Sequence, residues 1–413
     1  MTVATIDGSS RFALIPLTVQ PEGEGFLVGN QQLGAFYQFP AEGVALLRQL
    51  QEGRTPDDIR RLMSGEGTGE DIDLDDFLAT LIEIGFARPG DETPAAGPSS
   101  APARTLGFSV SRATAERFFS RGAVALYGLV VAAGLVCAVR FPVARLHADA
   151  FFIEDNLAAT LILLLVLSSA ATGLHELGHM LAAAREGVAS RLGIGTRLWN
   201  LVFEADLSGI FALPRARRYL PLLAGMLVDL LVVSLVTILI TALSLADAPV
   251  FAVALLQALV LQIAVTVAWQ FNLFLRTDVY YILSNWSGHP NLDGAARDYI
   301  AGNVHLWTAG RFGRRQSGEA DGTPARNLRM VRCFVAVWIM GRILALATLF
   351  LVVLPTLARY AERAWQTIQD PNAPVLRGLD AAIFAGLSML LVAAGLALWL
   401  LPKFRHQKPK DTQ

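Results

Sequence analysis

Six stretches of the chain are apolar almost without interruption, at about 122–142, 157–181, 219–244, 250–274, 331–356 and 379–401. Each is close to the twenty or so residues that cross a bilayer, so they predict six membrane-spanning helices. The first ninety residues carry shorter patterns. Phe26-Leu27-Val28-Gly29 and Ala35-Phe36-Tyr37-Gln38-Phe39 read as strands joined through Gln31-Gln32-Leu33-Gly34, a hairpin with a glycine-containing loop. Three short amphipathic helices follow. The first places Val44, Leu47 and Leu50 on one face; Thr55-Pro56-Asp57-Asp58 opens the second with an N-cap, a proline at the first helical position and acids in the first turn. Asp73 caps the third, whose Leu74, Phe77, Leu78, Leu81 and Ile82 make one stripe that Gly85 ends.

These elements divide the chain into a small α+β, winged-helix-like soluble domain over 1–90, a linker over 91–105 and an all-α polytopic membrane domain over 106–402, with a basic tail over 403–413. The linker is rich in Pro, Ala and Ser, which predicts flexibility and a first domain free to move relative to the membrane. One interruption is expected in the membrane domain. Residues 197–206 and 210–213, separated by Ser208-Gly209, look strand-like, or form an interfacial loop anchored by Trp199 and Phe203.

Composition agrees with a membrane protein: of 413 residues, 54% are hydrophobic and 17% charged, with a mean hydropathy of +0.46. Cys137 and Cys333 both fall in predicted spans and are expected to be free thiols rather than a disulfide. Arginines and lysines set the orientation. They crowd the segments before the first span, between the second and third, between the fourth and fifth, and after the sixth, whereas the opposite loops hold mainly Arg145, Arg359, Arg363 and Arg377. The positive-inside rule therefore places both termini in the cytoplasm of a cell (inner or plasma) membrane protein in contact with lipid. The N-terminus has no basic-then-apolar secretory pattern, which agrees. Charge also bears on the first domain. Residues 1–95 hold 16 Asp plus Glu against 6 Arg and no Lys, a balance of −10 that would repel a phosphate backbone, so nucleic acid is excluded as its partner and a peptide or protein is favoured.

The second span contains the chemistry. In Gly173-Leu174-His175-Glu176-Leu177-Gly178-His179-Met180, the two histidines are four apart on one helical face and can share a metal ion, and Glu176 sits one step round as a proton acceptor. Three ionisable groups in one turn of a membrane helix are costly to bury and read as a site. Their predicted depth is roughly 5 to 10 Å from the cytoplasmic end of the span. A catalytic zinc takes three protein ligands, so a third is needed. Asp229 in the third span, Asp278 after the fourth and Asp293 in Asn291-Leu292-Asp293-Gly294 compete; topology puts Asp278 at the depth of the histidines.

His175-Glu176-Leu177-Gly178-His179 on a membrane helix, with an aspartate about one hundred residues later at the end of another, resembles the site-2 protease family of intramembrane zinc metallopeptidases. A bacterial branch of that family linked to peptide maturation and export has the pattern Asn-Pro-x-x-Arg-x-Asp-Gly-Tyr-Tyr. Asn272, Arg276, Asp278, Tyr280 and Tyr281 match it, while Leu273 stands for the proline and Val279 for the glycine. The first domain, with its Gly53-Arg54-Thr55-Pro56-Asp57 turn and closing Ile84-Gly85-Phe86-Ala87, resembles PqqD-like recognition elements, which bind leader peptides of ribosomally made natural products by pairing with a strand edge. The resemblance implies a zinc metalloprotease with His175, His179 and Asp278 as ligands, Glu176 as the catalytic base and Asn272 as a substrate-holding amide. Its substrate is expected to be a peptide precursor or a membrane protein, and its partners a peptide exporter or a modifying enzyme. The alternative is a non-proteolytic, leader-binding membrane accessory of such a system.

Overall fold

A computed structural model of the chain describes residues 11–23, 25–30, 35–66, 73–90, 105–106, 108–197, 200–273, 276–288, 292, 296, 325–371 and 374–405. The expected hairpin loop at 31–34, the linker over 91–104, Trp199, Asp293 and the tail beyond 405 lie outside the described residues.

The first domain runs β1 (Phe12–Leu14), β2 (Thr18–Glu22), β3 (Gly25–Asn30), β4 (Ala35–Phe39), α1 (Ala41–Gln51), α2 (Pro56–Glu66), α3 (Leu74–Glu83) and β5 (Ala87–Pro89). The hairpin gains a third strand, giving an antiparallel sheet in the order β2-β3-β4, and β1 pairs with β5 so that the two ends of the domain close on each other. The caps form as the sequence predicts. Asp73 accepts from Asp75 N at 2.9 Å and Asp76 N at 3.3 Å, satisfying amides the helix leaves free. Strand alternation turns Val19, Phe26, Val28 and Phe39 towards Leu47, Leu50, Leu78, Leu81 and Phe86, which together form the domain core.

The remainder is mostly helical: β6 (Thr105–Leu106), α4 (Arg112–Phe118), α5 (Arg121–Arg140), α6 (Leu157–Arg185), β7 (Leu192–Arg197), β8 (Asn200–Ala205), α7 (Tyr219–Leu245), α8 (Val250–Trp269), α9 (Asp278–Ser287), α10 (Ala325–Thr348), α11 (Leu354–Gln369) and α12 (Val375–Arg405). Six helical segments among the described residues are long and apolar enough to cross a bilayer, which makes this a multi-pass membrane protein. Three sequence expectations need correction here. The fourth helix stops at Trp269 rather than near 274, because the chain tightens into a turn in which Asn272 N bonds Trp269 O at 2.9 Å. The fifth continues past 356 to Gln369, since the π-helical segment Leu349–Val353 joins α10 to α11 without a break. The membrane part is not all-α. β6, β7 and β8 form an antiparallel sheet in the order β6-β7-β8, and Ser208–Ala212 is a 3-10 turn instead of a strand because Asp206 accepts from Ser208 N at 3.1 Å and Ser208 Oγ at 2.6 Å.

The first domain is docked rather than free. The face of its sheet opposite the core carries Gln20, Glu22, Leu27 and Phe36. Gln20 Nε2 donates to Ala212 O at 3.1 Å, Phe36 packs on Phe211 with ring centres 6.0 Å apart, and Glu22 pairs with Arg218 at 2.6 Å, both side chains buried. Gly23 in the β2–β3 turn meets the end of α9, where a Cβ would lie 2.7 Å from Gly288 O.

Candidate metal centre

The centre is built where glycines on α6 and α7 let the two helices approach each other closely. On α6, a Cβ at Gly178 would come 2.7 Å from Val228 Cγ2 and 2.9 Å from Ala224 O, so only a glycine lets the helices meet at this distance. On α7, Gly225 faces the histidines, and a Cβ there would overlap the Nε2 atoms of both His175 and His179. Small residues on both helices thus make room for two imidazoles in an otherwise apolar interface.

Both rings are fixed by their Nδ1 atoms. His175 Nδ1 donates to Asp229 Oδ2 at 2.8 Å, and His179 Nδ1 donates to Pro221 O at 2.7 Å. Pro221 O can only accept, and a carboxylate does the same, so both Nδ1 atoms carry a proton, and the neutral form of each ring, the one that binds a metal, keeps its lone pair on Nε2. In that form the two Nε2 atoms face Asp278 as acceptors. Those two atoms lie 3.1 Å apart, and Asp278 Oδ2 stands 3.0 Å from one and 3.3 Å from the other. Three acceptors facing one another at such distances repel unless a cation lies among them. Bonds of about 2.0–2.1 Å to one tetrahedral ion would separate their donor atoms by about 3.3 Å, so the spacing fits a metal ion. His175 and His179 are buried and Asp278 is half-buried, which leaves approach from the Asp278 side.

Asp278 is delivered by a break in the helices. It is the first residue of α9, with extended Thr277 before it and Arg276 in the left-handed region at φ 49°. Gln270, at the end of α8, holds this junction: its side-chain oxygen accepts from Asp278 N at 3.2 Å, and its carbonyl from Thr277 Oγ1 at 2.5 Å. The two departures from the Asn-Pro-x-x-Arg-x-Asp-Gly-Tyr-Tyr pattern are absorbed by packing. Leu273 is fully buried against Tyr280, Phe334 and Val335, and Val279 lies at the edge of the same cluster.

Of the three competing aspartates, the structure brings Asp278 to the histidine Nε2 atoms and puts Asp229 on the far side of His175, where it orients the ring; Asp293 lies outside the described residues. Glu176 accepts from Ala205 N at 2.8 Å and is thereby tied to the last residue of β8. Asn272 is buried in the turn after α8 with its Oδ1 unpartnered, and among the described residues no hydrogen bond joins it to the His-His-Asp cluster. Sequence reading missed the parts played by Pro221, Gly225, Gln270 and Ala205. Only Gly225 carried a signal, as a small residue in an apolar span four positions before a buried aspartate. No protein-family model matches this chain, and neither a curated protein nor a solved structure does.

Proposed function

We propose that this protein is a membrane-embedded, zinc-dependent endopeptidase of the site-2 protease type, cleaving a peptide precursor or a membrane protein near the cytoplasmic face, in the maturation or export of a ribosomally made peptide. One observation carries the reading: His175 Nε2, His179 Nε2 and Asp278 Oδ2 converge within 3.3 Å while each Nδ1 is already committed to an outer partner. Two histidines and a carboxylate, with a position left open, are a donor set that catalytic zinc takes. When bound there, zinc would polarise a scissile carbonyl and acidify water. Glu176, beside His175 on α6, would accept a proton from the attacking water and return it to the leaving amine. Its present bond to Ala205 N holds the carboxylate at the edge of β8, where an extended substrate can add its own main chain. The acidic, PqqD-like first domain captures the leader, and the arginine-rich segments place both termini, and the centre, on the cytoplasmic side.

The engagement of Glu176 by Ala205 also favours a second reading, a leader-binding accessory with a relic metal site that hands a precursor to an exporter or modifying enzyme. The two separate on purified full-length chain in lipid nanodiscs. The protease reading expects one zinc per chain by elemental analysis and cleavage of a mixed peptide library, with Glu176→Gln keeping the zinc and losing at least a thousandfold in cleavage. Absence of zinc from the unmodified chain, or equal cleavage by the variant, would overturn it.

A further inference from the structure

The parts of the metal centre that α6 does not supply come from α7, with Pro221, Gly225 and Asp229, and from α9, with Asp278. One arginine joins these two elements. Arg215 lies in a 3-10 turn just before α7, and its Nε and Nη2 donate to Asn285 O and Trp286 O, carbonyls that the end of α9 leaves free. A cation at this end also complements the helix dipole. Asn285 returns the contact, its Nδ2 donating to Arg215 O at 3.1 Å. Gly288 completes the clasp: it ends α9 at φ 72°, and a Cβ there would come 3.1 Å from Arg215 Nη1. The docked first domain closes over this junction. Glu22 Oε1 stands 4.0 Å from Arg215 Nε, while its Oε2 takes Arg218, whose carbonyl accepts from Leu222 N in the first turn of α7 at 3.1 Å. The neighbouring Gly23 turn rests on the end of α9.

We propose that Arg215 is a positioning residue for the metal centre: by clasping the end of α9 to the start of α7 it holds Asp278 within reach of the two imidazoles, and docking of the first domain keeps that clasp closed. The lever is short and stiff. Asp278 and Asn285 lie about 10 Å apart along the axis of α9. A tilt of about 5° at the clasped end would carry Asp278 roughly 0.9 Å, against a tolerance of about ±0.2 Å in a metal–ligand distance. Gln270 restrains the other end through a 3.2 Å bond to Asp278 N and a bond to the Thr277 hydroxyl, so the direction of the helix also needs its far end. The coupling is reciprocal: if docking tightens metal binding, the metal tightens docking by the same factor. The identity of the ion as a catalytic zinc rests on the protease reading; the clasp needs only that His175, His179 and Asp278 take a metal.

The test titrates cobalt(II) into the full-length chain in lipid nanodiscs, stripped of metal, because cobalt has visible absorption bands that report donor geometry and zinc has none. Arg215→Met is expected to lower cobalt affinity at least tenfold and to shift the visible spectrum at saturation. Arg215→Lys, which still offers a donor to the end of α9, should recover most of both. Glu22→Gln should lower the affinity at least threefold, and saturating cobalt should slow hydrogen exchange in the 208–213 turn of the unmodified chain by a comparable factor. Arg217→Met, in the same turn but with its guanidinium directed to Glu186 at 4.0 Å, should leave affinity and spectrum unchanged. An unshifted spectrum with unchanged affinity in Arg215→Met, whatever its thermal midpoint, or equal losses in Arg215→Met and Arg217→Met, would overturn the proposal. Unchanged cobalt affinity in Glu22→Gln would overturn the coupling even if Arg215→Met failed to fold. No cleavage enters the assay. A chain whose metal depends on Arg215 but that cleaves nothing keeps the clasp and loses the protease reading, whereas a cleaving chain indifferent to Arg215 loses only the clasp.

Discussion

Asp229 and Asp278 hold opposite edges of one imidazole: the first accepts from His175 Nδ1 at 2.8 Å, and the second stands 3.0 Å from His175 Nε2. The two carboxylates are the same chemical group within hydrogen-bond reach of the same ring, yet under the proposed zinc reading they divide into an orienting partner and a metal donor. An orienting carboxylate fixes the tautomer and the ring direction, and its loss usually weakens a metal site 10–100-fold without abolishing it. Asp229→Asn is therefore expected to lower zinc affinity by about that factor, read by competition with a chromophoric chelator. Unchanged affinity would mean that His175 does not need its outer partner.

Asp278→Ala removes a donor rather than a support, and the expected loss is larger. Two imidazoles alone should not retain stoichiometric zinc through dialysis against micromolar chelator. Asp293→Asn, in the same assay, should retain it, because three donors already converge without Asp293. If Asp293→Asn lost the metal and Asp278→Ala kept it, the ligand set would have to be redrawn.

Gly225 offers a test that separates the site from the fold. Alanine is normally the better residue within a helix, by about 0.5–1 kcal/mol. Here its Cβ would overlap both histidine Nε2 atoms. Gly225→Ala is expected to lose zinc binding while the thermal midpoint of the metal-free protein falls by no more than a few degrees. Gly173→Ala, where a Cβ meets nothing within 4 Å, should bind zinc as the unmodified chain does. Equal zinc content in the two variants would sink the close approach of α7 to the histidines.

Much of this architecture was legible in residue spacing, and the parts that were not share a cause. Long apolar runs give spans directly, and Asp73 or Thr55 announces a helix start because the cap bonds are local. The histidine pair is equally local, four residues apart on one helix. Asp229 against Asp278 was not decidable in that way, since which side of the His175 ring each reaches depends on how α7 and α9 pack on α6. Leu192–Arg197 was missed as a strand because Gly193 and Gly195 break its pattern, and pairing with β6 and β8 overrides that weak propensity. Docking of the first domain rests on Glu22 and Arg218, 196 residues apart, and neither residue is unusual in its own stretch of sequence.

That buried pair yields the last prediction. Glu22 and Arg218 are 4% and 2% exposed in their side chains and meet at 2.6 Å. Removing one partner of a buried pair leaves an uncompensated charge and typically costs about 3–5 kcal/mol, while replacing both with apolar groups is often close to neutral. Arg218 keeps two carbonyl acceptors, Leu213 O and Phe211 O, so the loss should fall at the lower end of that range. Since the pair joins the sheet to the segment before α7, its loss should appear as undocking of the first domain rather than unfolding within it. Glu22→Gln is expected to speed hydrogen exchange of the amides in the 208–213 turn at least tenfold, with the α1 and α3 amides unchanged. The double variant Glu22→Leu with Arg218→Met should return most of that protection. Uniform protection in all three proteins would mean that the docked arrangement is held by the Phe36–Phe211 and Gln20–Ala212 contacts without the ion pair.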